Sequence, residues 1–320
     1  MSDTSTTPLE QDDRLHTVLG ASGAMGHAVL DELAKKKVKT RAVTTRSKIE
    51  GHEVMHADLR DPAQAKKAIA GSKLVYLCVG LPYNHKVWEK DWPTIMENVI
   101  NACVEEKARL IFLDNVYMYH TPFPKPFQED AALNPSTKKG IVREKIAGMM
   151  IKAIQDGRLS GTIARSADFY GKRATNSMLY ISFLERMLKG KDPYFMTTPD
   201  KLHTYAYVRD NARAMILLAE NEDCCGQVWH LPVGEPITTT DLLEHFNKAI
   251  GNEFKIKAVP KLMELFLSLF VPAVKEVDEM LFQFENDYVM SWEKFRLRFP
   301  DFKVTPYNRA VAETVKYFEK

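Results

Sequence analysis

The chain has 320 residues, of which 45% are hydrophobic and 27% charged; 44 basic side chains stand against 42 acidic ones, a net charge of +2. Those figures exclude an intrinsically disordered chain and leave no positive excess to neutralise a nucleic-acid backbone, so no nucleic-acid partner is expected. They describe a soluble globular protein of one large or two modest domains.

Taken in chain order, residues 1–13 are polar and acidic and read as a disordered tail without the marks of a secretory signal. Leu15–Leu19 is a short apolar strand, followed by a glycine-rich turn and a helix with Met25, Val29 and Leu33 on one face. Strands are expected at Thr40–Thr44, Glu53–Ala57, Lys73–Val79, Arg109–Leu113 and Gly161–Arg165. Between them lie helices starting at Asp61-Pro62, at Trp88 (to Lys107) and at Thr137 (to Gln155). Helices at Met178–Lys189, Asp210–Glu220 and Thr240–Ile250 then mix with short strands near Val228–Leu231 and Lys255–Val259. The longest apolar patch, Leu265–Val271, is far shorter than the roughly 20 residues of a membrane span, so no membrane partner is expected. Four cysteines without zinc-ligand spacing suit a reducing cytoplasm.

Alternating strands and helices, with several strands as continuous apolar runs, specify a sheet buried on both faces. The expected fold is α/β: a Rossmann-type doubly wound parallel sheet with a smaller C-terminal α/β substrate lobe. The dinucleotide-binding domain is expected over residues 14–170, with later strands returning to it, and the mainly substrate-binding lobe over 171–320. The proline-rich loop Pro122–Pro126 falls where such a sheet presents its active site.

Gly20-x-x-Gly23-x-x-Gly26 joins the first strand to the first helix. Glycines there allow a sharp turn, close approach of the backbone to a pyrophosphate, and tight helix–strand packing. With Ser22, Ala24 and Met25 between them, they lead into a helix N-terminus whose free N–H groups suit an anion. An acid about 20 residues on would favour NAD; Arg46 stands there instead, and an arginine can clamp a 2′-phosphate. NADP(H) is therefore expected in preference to NAD(H). His52-Glu53-Val54-Met55-His56 spells a zinc-protease signature, but on a strand its histidines lie roughly 13 Å apart, so no metal is expected.

The glycine turn, Asp58-Leu59, Val79-Gly80, Asp114–Tyr119, Ala167–Gly171 and Tyr207–Ala212 follow one another in an order that resembles the extended or atypical short-chain dehydrogenase/reductases, the NAD-dependent epimerase/dehydratase-like family. The resemblance runs from about Thr17 to Phe318. It implies that Asp58 and Leu59 hold the adenine, that Val79 and Gly80 border the cofactor, and that the Phe169-Tyr170 turn meets the nicotinamide. It also implies a Ser or Thr, then Tyr-x-x-x-Lys, as the catalytic set. This chain has Asn115 at the first position and Lys139-Gly140-Ile141-Val142-Arg143 in the second register.

Two arrangements keep an enzyme. Lys139 is the acid/base beside Arg143, with Asn115 donating to a substrate carbonyl; or Tyr117 or Tyr119, on the same side of a strand end as Asn115, donates the proton. Sugar-nucleotide members carry an arginine near the position of His203, and its loss, with the apolar residues Phe266, Leu269, Phe270, Leu281, Phe282 and Phe284, points to a small or hydrophobic carbonyl substrate. The leading expectation is an NADP(H)-dependent reductase or dehydrogenase. The alternatives are a sugar-nucleotide epimerase or dehydratase with bound NAD, and a catalytically inactive NADPH-sensing protein. The resemblance also implies a homodimer through the two long helices.

Overall fold

The computed structural model describes residues 14–195, 197–258, 276 and 281–319. The expected tail at 1–13 and the apolar residues Phe266, Leu269 and Phe270 lie outside them. Seven parallel strands form one sheet: β1 (His16–Leu19), β2 (Thr40–Thr44), β3 (Val54–His56), β4 (Leu74–Leu77), β5 (Arg109–Asp114), β6 (Gly161–Arg165) and, later in the chain, Val228–His230, which is β11. Their order is β3-β2-β1-β4-β5-β6-β11. It reverses between β1 and β4, which opens a crevice at the carboxyl ends of those strands.

Alternate side chains of each strand enter opposite cores. On one face Val18, Tyr76 and Ile111 meet α1 (Ala24–Lys35) and α6 (Val208–Glu220) through Val29, Leu33 and Met215. On the other, Leu19, Val75, Leu77 and Phe112 meet α2 (Pro62–Ile69), α3 (His85–Glu106) and α4 (Lys138–Gln155) through Ala65, Trp92, Val99 and Ile146. Each such side chain contributes about 1.5–3 kcal/mol by leaving water.

Capping side chains fix where the helices start. Asp61 accepts from Ala63 N at 2.8 Å, Asn84 from Lys86 N at 3.0 Å, and Thr137 from Gly140 N at 3.0 Å. The Asn84 cap starts α3 three residues ahead of the expected Trp88.

The C-terminal part is built from paired short strands: β7 (Phe169–Tyr170) with β10 (Ala206–Tyr207), β8 (Tyr194–Phe195) with β13 (Lys257–Ala258), and β9 (Leu202–His203) with β12 (Ile237–Thr238). Helix α7 (Thr239–Ile250) and the helix Tyr307–Phe318 bury Leu242, Phe246, Val311 and Val315 together. The helix expected over Met178–Lys189 opens as a π-helical stretch, Leu179–Leu184, and ends in the single α-helical turn α5, Glu185–Leu188. Among the described residues no helix is long and apolar enough to cross a membrane.

Candidate active site

A cavity of about 930 Å³ follows the crevice from the glycine turn across the ends of β4, β5 and β6. Its cofactor end is made largely of backbone. Gly20 has φ +77°, and a Cβ on it would stand 2.7 Å from Cys78 O. A Cβ on Gly26 would stand 2.4 Å from Gly20 O, so only glycine lets α1 close onto β1. Gly23 caps α1 with no side chain bonded to the helix N-terminus, so those N–H groups remain available to a diphosphate. The donor set and the space both fit a dinucleotide. Gly20, Ser22, Gly23, Ala24 and Met25 line the cavity, as do Asp58, Leu59, Val79 and Gly80 further along; Gly26 lies behind them in the packing.

Asp58 and Arg46 differ in how they are held. Arg60 donates to Asp58 from Nε at 2.9 Å and Nη2 at 2.6 Å, and from Nη1 to Asp91 at 3.1 Å. Arg60 thereby holds the Asp58 carboxyl below its ordinary range. Arg46 lines the cavity but is exposed, and among the described residues nothing bonds its guanidinium in place.

The far end is built of side chains. Asn115 and Tyr117 line the cavity just past β5. Asn115 Oδ1 accepts from Tyr117 N at 3.1 Å, and among the described residues its amide nitrogen has no protein acceptor. The Tyr117 ring stacks on Trp88 with centroids 6.3 Å apart, and its hydroxyl lies near Tyr83 and Gln283. Burial pushes that hydroxyl up to about 12, and the nearby Asp168 charge adds to the rise; the polar groups of Tyr83 and Gln283 and the Arg143 charge oppose it. Arg143 also lines the cavity, with Nε donating to Asp114 at 2.8 Å and its guanidinium lying over Trp92 and Phe112.

The expected site is only partly assembled. Lys139 does not reach the cavity. It is fully buried, ion-paired with the carboxylate of Glu276, donates to Glu276 O at 3.0 Å, and sits over the Tyr83 ring. Tyr119 does not share a side with Tyr117, because β5 ends at Asp114 and a turn (Tyr119 N to Val116 O, 3.2 Å) breaks the two-residue alternation. Tyr119 instead enters the core, where its hydroxyl accepts from Arg165 Nη1 at 2.7 Å and donates to His230 Nε2 at 2.6 Å. Arg165 in turn reaches Asp114, so Asp114 takes two guanidinium groups in a buried network. Tyr170 packs against Tyr207 and Tyr307 in the aromatic core, and Asp168 and Phe169 line the cavity in its place.

Two further expectations are redirected. The Pro122–Pro126 loop puts Phe123 into the core against Phe127 and Tyr288, away from the cavity. Of the apolar lobe residues within the described part, Leu281 and Phe284 are buried and Phe282 packs on the same core as Phe123; none lines the cavity, so they give no sign of a hydrophobic substrate. The His52–His56 segment ends in β3, and His56 Nδ1 lies 3.3 Å from Thr44 Oγ1.

Several site residues escape sequence reasoning. Trp88 and Trp92 are one turn apart on α3, a spacing that reads as ordinary core. Tyr83 and Gln283 meet Tyr117 only through tertiary structure. Gly140 is a packing glycine: a Cβ there would stand 2.4 Å from Tyr117 O, so its absence lets α4 press directly against the site loop.

Known proteins agree with this architecture. The zebrafish (Danio rerio) short-chain dehydrogenase/reductase family 42E member 1 is 23% identical over 302 residues, covering 85% of this chain and 77% of its own. UDP-glucose 4-epimerase of Thermus thermophilus in complex with NAD superposes with a TM-score of 0.76 at 17% identity, covering 95% of this chain and 98% of its own. The dTDP-glucose 4,6-dehydratase DesIV of Streptomyces venezuelae, with NAD and TYD bound, gives 0.78 at 13% identity over 95% and 96%. Both structures hold NAD, which overturns the expected preference for NADP(H). That expectation rested on Arg46 alone, and an exposed, unanchored arginine is not a built 2′-phosphate clamp. Residues 16–231, well over half of the chain, match the model of the NAD dependent epimerase/dehydratase family, and the chain belongs to that family.

Proposed function

We propose that the protein is an NAD-dependent oxidoreductase of the epimerase or dehydratase kind, acting on a hydroxyl or carbonyl carbon of a sugar nucleotide. The observation that carries this reading is the single cavity joining the backbone-lined glycine turn to Asn115 and Tyr117. The same cavity is lined by Gly20, Ser22 and Gly23 at one end and by Asn115, Tyr117 and Asp168 at the other, so a dinucleotide on the glycine turn and a substrate beside Tyr117 would share it. Bound NAD supplies the hydride acceptor and donor.

The chain's own residues do the rest. Tyr117 holds and returns the proton at its Oη, the only one of the two tyrosines that lines the cavity. The free amide N–H of Asn115 donates to the substrate oxygen. Arg143, fixed by Asp114, supplies a positive field that favours the deprotonated phenol. Lys139 supports this from behind: its ammonium, held by Glu276, lies over Tyr83, which stands beside the Tyr117 hydroxyl. Residues 14–170, with α6 and β11, are assigned to the cofactor, and most of 171–320 to the substrate.

The test compares UDP- and dTDP-hexoses on the NAD-loaded protein, read by product analysis and thermal shift, with simple ketones on the NADH-loaded protein, read by loss of absorbance at 340 nm. A sugar nucleotide should raise the Tm of the NAD complex and be converted. Conversion of ketones alone would replace this reading with that of a simple dehydrogenase.

A further inference from the structure

Asp168 stands in the turn between β6 and β7 and lines the cavity with Asn115 and Tyr117. Its side chain is 23% exposed, while that of its partner His203 is 2% exposed. His203 Nε2 donates to Asp168 Oδ2 at 3.0 Å. The imidazole itself is clamped in an aromatic box. It stacks on Phe284 at 4.7 Å and 4°, and on Tyr288 at 4.3 Å and 12°. A ring held on both faces fixes the carboxylate it bonds. Among the described residues no protein donor reaches the other oxygen, Oδ1, and no lysine or arginine pairs with Asp168. The contrast with Asp114 is direct: that carboxylate takes two guanidinium groups and faces inward.

We propose that Asp168, held by His203, is a substrate-binding carboxylate that accepts a hydrogen bond from a hydroxyl or amino group of the sugar and turns away a sugar bearing an anionic group. This rests on the sugar-nucleotide reading and sharpens it by saying which end of the substrate sits there. The diphosphate is disfavoured against an unneutralised carboxylate, because like charges at contact distance repel. The sugar ring can, because its hydroxyls are donors. A donor bonded to a charged acceptor is worth about 10- to 100-fold in affinity. His203 is a positioning residue in this arrangement: it touches Asp168, not the cavity.

The experiment is calorimetry on the NAD-loaded protein with UDP-glucose and UDP-glucuronate, for the natural chain, Asp168→Asn and His203→Gln. Asp168→Asn keeps the volume and an oxygen for His203 but removes the charge. The natural protein should bind UDP-glucose at least about tenfold more tightly than UDP-glucuronate. In Asp168→Asn that ratio should fall to within about twofold, while NAD affinity stays within about twofold. His203→Gln should narrow the ratio part of the way. A ratio near one in the natural protein, or one unchanged in Asp168→Asn, overturns the proposal. If neither UDP-sugar binds, the sugar-nucleotide reading fails on its own account. Free glucosamine against free glucuronate then makes the same comparison, and equal binding of those two ends the proposal for Asp168.

Discussion

The two ends of the cavity are made of different material. The cofactor end is backbone: three glycines, a helix N-terminus and the strand ends that press on them. The substrate end is side chain, drawn from β5, α3, α4, the β6–β7 turn and residue Gln283 near the C-terminus. A backbone site demands particular residues at fixed spacing, because only those residues leave the space. A side-chain site can exchange residues as long as charge and volume are kept, so Tyr-x-x-x-Lys can give way to Lys-x-x-x-Arg without loss of the fold. The comparison is broken most sharply at Gly26. Gly26→Val would place atoms within 2.4 Å of Gly20 O and 2.9 Å of Ala21 Cα. NAD binding, followed by calorimetry, should be lost. Gly23→Ala meets Gly20 O only at 3.4 Å and should weaken NAD by less than about tenfold. Equal effects of the two would mean that backbone packing is not what makes this end.

At the substrate end the largest effect is expected at Tyr117. Tyr117→Phe should lower kcat about 10²- to 10⁴-fold, the range for a lost acid–base group, with NAD affinity within about twofold. Lys139→Met should lower kcat less, because Lys139 acts through Tyr83. It should also lower stability by leaving Glu276 without its buried cation. If Lys139→Met proves the more damaging to turnover while its Tm holds, the proton belongs to the lysine and the two roles exchange.

The polar network behind β5 connects the two halves, and its contribution is to stability. Asp114 and Arg165 are both buried. Arg165→Met should cost about 3–5 kcal/mol by urea unfolding, since it leaves Asp114 and Tyr119 short of a partner. His230 sets a pH dependence. Burial drives its imidazole down to about 3 from 6.5, and its Nδ1 donates to Ser291 O at 2.7 Å in the neutral form. The unfolded chain takes up this proton near pH 6.5 and the folded one does not. Stability should therefore be full above 6.5 and decline as pH falls from 6.5 toward 3. His230→Gln should flatten that part of the curve.

Most of the fold is legible in the sequence because its signals are local. β2 and β6 fall at their expected bounds, and Asp61 and Thr137 cap the helices they announce. The apolar runs of β1, β4 and β5 mark strands covered on both faces. The glycine turn is legible for the same reason. Tyr117 and Tyr119 show where local reading stops: an alternation rule places them together, and a turn after Asp114 sends one to the cavity and the other to the core. Lys139 shows it again, because its partner Glu276 lies 137 residues away. Asp168 and His203 both stand in recognisable motifs, yet nothing in those motifs says that the two meet.

Arg46 carries the smallest expected effect. It occupies the right place after β2 for a residue that chooses between coenzymes, and its charge alone suggested a phosphate. Its neighbours do not support that. It is exposed on the loop after β2, with no side chain among the described residues holding its fork in one plane. A bidentate clamp draws its strength from that fixed geometry, and an unanchored surface cation retains only a screened attraction. Arg46→Ala should leave the NAD dissociation constant within about twofold at 0.15 M salt, measured by calorimetry. The change should shrink further as salt is raised, which is the mark of a charge acting at a distance. A loss of tenfold or more that persists at high salt would mean that Arg46 is anchored on the adenosine side, and the cofactor end would then owe part of its affinity to a side chain after all.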